Sequence, residues 1–357
     1  MYAIIIAGGS GTRLWPKSRE ASPKQLHSLI TGKSMVQETI ARIKKLIPPR
    51  DIFIVTNENY AYKIRAHLPQ IPKDNYILEP YPLGTAMAIG LAATRIAKIQ
   101  PEANIAVLWA DAHIENPDEF LKSLRRAQRA AQISDGAILG INPTYPSTGY
   151  GYIRMGQQIK IDGKEDMAYK IESFIEKPNY KTAMSFVKKW EYLWNTGISV
   201  WRVERFLTLF EKLLPKHYQA LNQLEPYLEK IDNSKKIGAA CKNLDPVTVD
   251  YAIYEKAKNL TVVPADLEWS DVGTWTALQE LLKKKGEDNV IRAKKFVEIG
   301  SRNCLVDGGE RLIALVGVEN LIIVDTDDVV LVTNRKNAAK VKDLINKMKE
   351  ENLKEYL

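Results

Sequence analysis

The 357-residue sequence has little cysteine: Cys241 and Cys304 stand far apart, with no partners at metal-ligand spacing. A disulfide framework is excluded, and a cytoplasmic location is the expectation. Long apolar runs are also missing. The longest, such as the one within residues 103–110, cover less than half of a membrane span. Residues 1–7 are apolar, but no basic residue precedes them and Gly8-Gly9 cuts the run short. That stretch reads as a first strand, not a leader peptide. Charge of one sign is in modest excess, with 51 Lys+Arg against 43 Asp+Glu and a net charge of +8. The surplus is spread through helical segments such as Lys44-Lys45, Lys188-Lys189 and Lys283 to Lys285, which reads as solvated faces. No nucleic-acid reader motif accompanies it, so neither nucleic acid nor membrane is an expected partner. Ser-His-Asp and Cys-His signatures, low-complexity tracts and long repeats are absent too.

What is present is an ordinary globular composition, 45% hydrophobic and 26% charged, long enough for one large core and a second, smaller domain. The first 145 residues alternate apolar runs with helical patterns. Tyr2 to Ala7 predicts a buried strand. Ser34 with Gln37 three residues later predicts a capping box, followed by the helical stripe Val36, Ile40, Ile43 and Ile47. Strands are predicted at Ile52–Val55, Tyr76–Leu78, Ile105–Ala110 and Ala137–Ile141, with helices at Thr85–Ile99 and Pro117–Gln132. This rhythm implies an α/β fold with a Rossmann-like, mainly parallel sheet covered by helices. Ligands of such sheets bind beyond the carboxyl ends of the strands. After a polar break at residues 283–289 come short apolar strands, Phe296–Ile299, Cys304–Val306, Leu312–Val316, Leu321–Val324 and Val329–Val332, then a helix at Ala338–Lys349. Their even spacing implies a small β-domain or β-solenoid, with a short left-handed β-helix as one form. The domain expectation is therefore residues 1–284 and 285–357.

Ala7-Gly8-Gly9-Ser10-Gly11-Thr12-Arg13 directly follows the first strand. Three glycines let the backbone turn sharply and present N–H groups to an anion, and Arg13 adds a planar cationic fork. A dinucleotide fingerprint fails here because Leu14 stands where its last glycine belongs. A Walker A loop at Gly32-Lys33-Ser34 fails because His27 occupies the upstream glycine position. A calcium loop at Asp325 fails as well, lacking glycine at Val330 and glutamate at Lys336.

Gly8 to Pro16 together with Pro23-Lys24-Gln25 resembles the signature of sugar-1-phosphate nucleotidylyltransferases, more narrowly the mannose-1-phosphate guanylyltransferase (GDP-mannose pyrophosphorylase) family. Thr148 to Ile153, Phe174 to Pro178, Trp194 to Ile198, Val249 to Lys256 and Glu268 to Trp275 are similar to further family blocks, in the same order. The resemblance runs from residue 1 to about 280, and the terminal β-region fits it. It implies that Gly8, Gly9, Ser10, Gly11, Thr12, Arg13, Gly84 and Thr85 bind the nucleotide. Arg13 and Lys24 would be catalytic, gripping the triphosphate and stabilising charge on the leaving pyrophosphate. Asp111 and Asp271 would hold Mg²⁺, and Gly149, Glu176 and Asn195 would line the sugar-phosphate side. The 160 residues between the two aspartates make their convergence a tertiary expectation that spacing cannot show. Trp194, Trp269 and Trp275 read as core or pocket wall.

The sequence departs from the family pattern in three places. Gly84 stands where asparagine is usual before Thr-Ala, Ala112 where histidine usually follows the metal aspartate, and Thr196 where serine is usual. In an extended segment the side chain of His113 points away from the position of residue 112, so His113 is no automatic substitute. The expected activity is GDP-mannose formation from GTP and mannose 1-phosphate. Two alternatives stay open: the same chemistry with glucose 1-phosphate and UTP, dTTP or ATP, or a non-catalytic regulatory paralogue that binds nucleotide sugar. Short exposed strands in the terminal β-region invite pairing, so a homodimer is a further expectation.

Overall fold

The computed structural model describes residues 1–9, 11–161, 167–229 and 233–357. Their contacts divide them into two compact units. One comprises Met1–Gly8, Thr39–Ala110 and Ile114–Trp269; the other comprises Gly9–Glu38, Asp111–His113 and Ser270–Leu357.

The strands in chain order are β1 (Tyr2–Ile6), β2 (Ile52–Asn57), β3 (Tyr76–Glu79), β4 (Asn104–Trp109), the short β5 (His113–Ile114), β6 (Gly136–Ile141), β7 (Tyr152–Lys160), β8 (Met167–Ile175), β9 (Tyr192–Arg202), β10 (Leu260–Pro264) and the short β11 (Trp269–Ser270). The helices over the same stretch are α1 (Met35–Ile43), α2 (Glu58–His67), α3 (Thr85–Ile99), α4 (Pro117–Ile133), α5 (Tyr180–Val187), α6 (Val203–Leu213), α7 (Pro215–Leu224) and α8 (Ser234–Cys241). Ser34 precedes α1, and its backbone N–H donates to Gln37 Oε1 at 3.0 Å, the return bond of a capping box.

In the first unit a nine-stranded sheet runs β3-β2-β1-β4-β9-β6-β10-β8-β7. β1 lies parallel between β2 and β4, and β3 extends the parallel set. A strand with neighbours on both edges and helices on both faces is apolar throughout, as Tyr2 to Ile6 is. The expected mainly parallel, Rossmann-like sheet is present, with two reversed strands: β9 runs antiparallel between β4 and β6, and β8 antiparallel between β10 and β7. Its core includes Ile4, Ile6, Val107, Trp201, Phe206 and Phe210. α3 starts and ends where the sequence pattern put it. Its small Gly90 lets Phe210 and Leu221 approach closely.

The second unit holds α9 (Trp275–Leu282), β12 (Val290–Arg292), β13 (Lys295–Ile299), β14 (Leu305–Asp307), β15 (Leu312–Val316), β16 (Leu321–Asp325), β17 (Val330–Asn334) and α10 (Val341–Glu350). β12, β14 and β16 stack in parallel, as do β13 and β15, which is the winding of a small β-solenoid. β17 closes one stack antiparallel. β12 is an element the sequence pattern did not indicate. Residues 9–38 belong to this unit as well: Leu14, Trp15, Leu29 and Met35 share a core with Trp275, Leu305, Ile322 and Val341. The Trp275 indole donates to Trp15 O at 2.9 Å, and the Trp15 indole to Tyr356 O at 2.7 Å.

Candidate active site

In the second unit the glycine-rich loop leads to a turn at Thr12–Leu14 that exposes Arg13, then to a turn at Lys24–Leu26 fixed by Pro23. Lys24 is almost wholly buried, 3% exposed. A buried ammonium needs several acceptors, and Lys24 has them. Its Nζ donates to Asp111 O at 2.7 Å, meets Asp111 Oδ2 at 3.1 Å, and donates to Asp271 O. Residues 24, 111 and 271, far apart in sequence, are thereby brought together around one cation. Gly11 makes room for this. It adopts φ +63°, and a Cβ there would run into the Lys24 side chain. Ser10 lies outside the described residues, while Gly9 and Thr12 flank it in the same unit.

Asp111 follows the end of β4 and stays about half exposed at its side chain. Asp271 Oδ1 accepts the Gly273 N–H at 3.0 Å, a turn that orients the carboxylate. Two hard carboxylates beside an open loop suit a magnesium ion, which takes one or two protein carboxylates and completes its shell with water and phosphate oxygens. His113, by contrast, is buried, and its Nδ1 faces Glu38 Oε2 at 3.5 Å while Thr31 donates to the other Glu38 oxygen. Its side chain is thus directed to Glu38 within the interior of the second unit.

The first unit carries two further clusters. Beyond β1, a Cβ on Gly8 would lie 3.3 Å from Glu79 Oε2. Glu79 ends β3 and is buried, and its Oε1 accepts the Leu83 N–H at 3.4 Å. Burial pushes its pKa up to about 7, the Leu83 bond opposing only in part. Sequence reasoning missed this residue. The available signal was a charged side chain closing an apolar strand at the carboxyl edge of the sheet. Gly84 opens α3 with φ +83°, and its Cα abuts the Val247 backbone. Thr85 Oγ1 accepts the Val249 N–H at 2.9 Å. Both residues therefore anchor the segment at 247–249.

The other cluster gathers around Gly151, where a Cβ would collide with Glu176 Oε2 and lie 3.3 Å from Asn195 Cβ. Glu176 Oε1 pairs with Lys177 at 2.5 Å, whereas Oε2 is buried with no hydrogen-bond partner among the described residues. Lys177 holds φ +47°, unusual for a side chain of its size. Asn195 donates to Asp250 Oδ1 at 2.9 Å and accepts the Gly197 N–H at 2.8 Å, leaving one N–H for a ligand. Burial first, then the Glu176 charge, raise the Asp250 pKa to about 6. Asp250 lies in the Val249 to Lys256 stretch, whose sequence alone assigns it no role. Gly149 is exposed one residue before Tyr150, whose ring meets Trp194 and Trp269 edge-on at 5.2 and 5.3 Å. Trp194 and Trp275 are buried and so belong to wall and core.

These clusters can be set beside known proteins. The nucleotidyl transferase family model matches residues 2–287, and the mannose-P isomerase/GMP-like β-helix domain model matches residues 294–348. A mannose-1-phosphate guanylyltransferase of Escherichia coli is 36% identical over 362 residues, covering all of this chain and 75% of the relative. The chain belongs to the mannose-1-phosphate guanylyltransferase family. A family member from Klebsiella pneumoniae matches at 36% identity with the same coverage. A solved structure of a Thermus thermophilus protein described as mannose-1-phosphate geranyltransferase is 30% identical. It superposes with a TM-score of 0.87 over 98% of this chain and 99% of that one. This guanylyltransferase-family chain is thus a nucleotidyltransferase, and its β-solenoid is the β-helix domain of the family.

Proposed function

We propose that the chain transfers a guanylyl group from GTP to mannose 1-phosphate, forming GDP-mannose and releasing pyrophosphate. A phosphate oxygen of the sugar phosphate bonds to the α-phosphorus as the bond from that phosphorus to the pyrophosphate oxygen breaks in line. No protein nucleophile is needed. The observation that carries the reading is the buried Lys24 ammonium, joined to Asp111 and Asp271 behind a glycine-rich loop that bears Arg13. Two anions must approach each other, and preorganised cations offset that repulsion. Arg13 and Lys24 hold the triphosphate and neutralise charge on the departing pyrophosphate. Main-chain N–H groups of Gly8, Gly9, Ser10, Gly11 and Thr12 take phosphate or base oxygens. Asp111 and Asp271 are the residues that would hold Mg²⁺, which when bound supplies charge neutralisation at the phosphates.

Glu79 favours guanine over the other bases. Guanine offers two adjacent N–H donors to the two oxygens of a carboxylate. Uracil and thymine offer one N–H between two carbonyls, and adenine and cytosine set a bare acceptor beside the amino group, so each leaves an oxygen facing an oxygen or a lone pair. Gly84 then needs no side chain to read the base. On the sugar side, Glu176 Oε2 and the remaining Asn195 N–H suit sugar hydroxyls beside Gly149. Residues 1–284 are assigned to transfer and residues 285–357 to the β-helix part, in a cytoplasmic homodimer.

The test is pyrophosphate release with Mg²⁺, crossing mannose 1-phosphate and glucose 1-phosphate with GTP, UTP, dTTP and ATP. Preference for mannose 1-phosphate with GTP is expected. Preference for another nucleotide keeps the chemistry and removes the guanine assignment of Glu79, and preference for glucose 1-phosphate moves only the sugar assignment. No release with any pair, despite nucleotide-sugar binding, identifies a regulatory paralogue.

A further inference from the structure

Asp307 is the last residue of β14 and only 1% of its side chain is exposed. A carboxylate so placed must be paired. Lys17 pairs with its Oδ1, and Arg292 Nη1 lies 3.4 Å from its Oδ2. Arg292 is its neighbour in the ladder, and the same guanidinium reaches back into the catalytic loop, donating to Leu29 O at 2.6 Å and Ser28 O at 3.1 Å. The carboxylate, neither of whose oxygens has a hydrogen-bond partner among the described residues, is thus held by ion pairing alone, with Lys17 before Lys24 and with Arg292, whose own hydrogen bonds to Ser28 O and Leu29 O secure the loop after it. The apolar stack around it, with Leu305, Ile322 and Val324, supplies the packing energy. A buried ion pair in such a stack adds little stability over an apolar residue, while it does impose one orientation on its partners.

We propose that Asp307 is a positioning residue: acting through Lys17 and Arg292, it fixes the loop on both sides of Lys24 and so aims the Lys24 ammonium. The β-helix part is then a working portion of the transferase and not an appended module. This inference rests on the reading of Lys24 as a catalytic cation.

The experiment is a double-mutant cycle of Asp307→Asn and Lys24→Ala, read as kcat and KM for each substrate per folded protein. Misaiming a charge by about an ångström costs roughly 100-fold in rate. Asp307→Asn is therefore expected to lower kcat by about that factor with KM little changed, and to have no further effect in the Lys24→Ala background. Equal losses in both backgrounds, or an unchanged kcat for Asp307→Asn, overturn the positioning role while leaving Lys24 catalytic. A wild-type rate for Lys24→Ala overturns the reading of Lys24 itself, and this inference with it. If Asp307→Asn does not fold, Lys17→Met, at a partly exposed side chain, completes the same cycle with the same criteria.

Discussion

Glu79 is a carboxyl group nearly enclosed by the first unit, and burial holds its pKa near 7 against an ordinary value of 4.5. The folded protein thus keeps this proton more tightly than the unfolded chain does. Its contribution to stability is complete below about pH 4.5 and is lost as pH rises through about 7. The neutral Glu79→Gln variant should therefore be more stable than the parent at pH 8, by on the order of 3 kcal/mol, with the gap closing at pH 5. Thermal melts at the two pH values decide it, and no gain at pH 8 means that the group carries no buried charge. The same variant should raise the KM for GTP and weaken the preference for guanine, because an amide sets a donor against a donor. Gain of stability with loss of function is the signature of a site residue. Asp250, raised to about 6 beside Asn195, titrates in the same direction. Glu79 escaped sequence reasoning because one Glu in a chain of 43 acidic residues has no pattern of its own. Lys24 did not, because Pro23 and the preceding glycine loop give it context.

At the level of elements, local signals were strong where a single turn or cap decides an end. The Ser34-Gln37 box marks the start of α1, and Gly84 marks the start of α3, where φ +83° admits only glycine in practice. Gly84→Ala is expected to destabilise the protein by at least 1 to 3 kcal/mol, roughly the strain of a disfavoured backbone region, since its Cβ would also meet the Val247 backbone. An unchanged melting temperature would mean that the 247–249 segment yields freely. Signals were weak where pairing decides. β12 is three residues long and exists because Val290 to Arg292 stack in register on Leu305 to Asp307, a partner that lies beyond any local window. The reversal of β9 between β4 and β6 is equally a matter of partners.

At the scale of the molecule, the β13–β15 ladder sets Val297, Ile299, Leu312 and Val316 on one exposed face. Contiguous apolar area of this kind marks an interaction surface. The expected homodimer is tested by light scattering at working concentration. A dimer that Val297→Lys with Leu312→Lys converts to monomer supports this face, and a monomeric parent removes the expectation. Contacts also cut the chain differently from its linear order. The loop of residues 9–38 and residues 111–113 join the C-terminal region in one compact unit, so the triad of Lys24, Asp111 and Asp271 is assembled within that unit.

The order of residues by itself determined the alternation of strand and helix, the solenoid rhythm after the polar break, the glycine-rich turn after the first strand and the family. Each depends on periodicity, turn chemistry or adjacent motif residues, which act over a few positions. Only tertiary structure decided that Lys24 is buried between Asp111 and Asp271, that Asn195 is largely spoken for by Asp250 and Gly197, that Glu79 faces Gly8, and that Asp307 grips the loop through Lys17 and Arg292. Those facts depend on which distant segments share a low-dielectric interior, where an unpaired charge is too unfavourable to persist, and no local pattern encodes the partner that satisfies it.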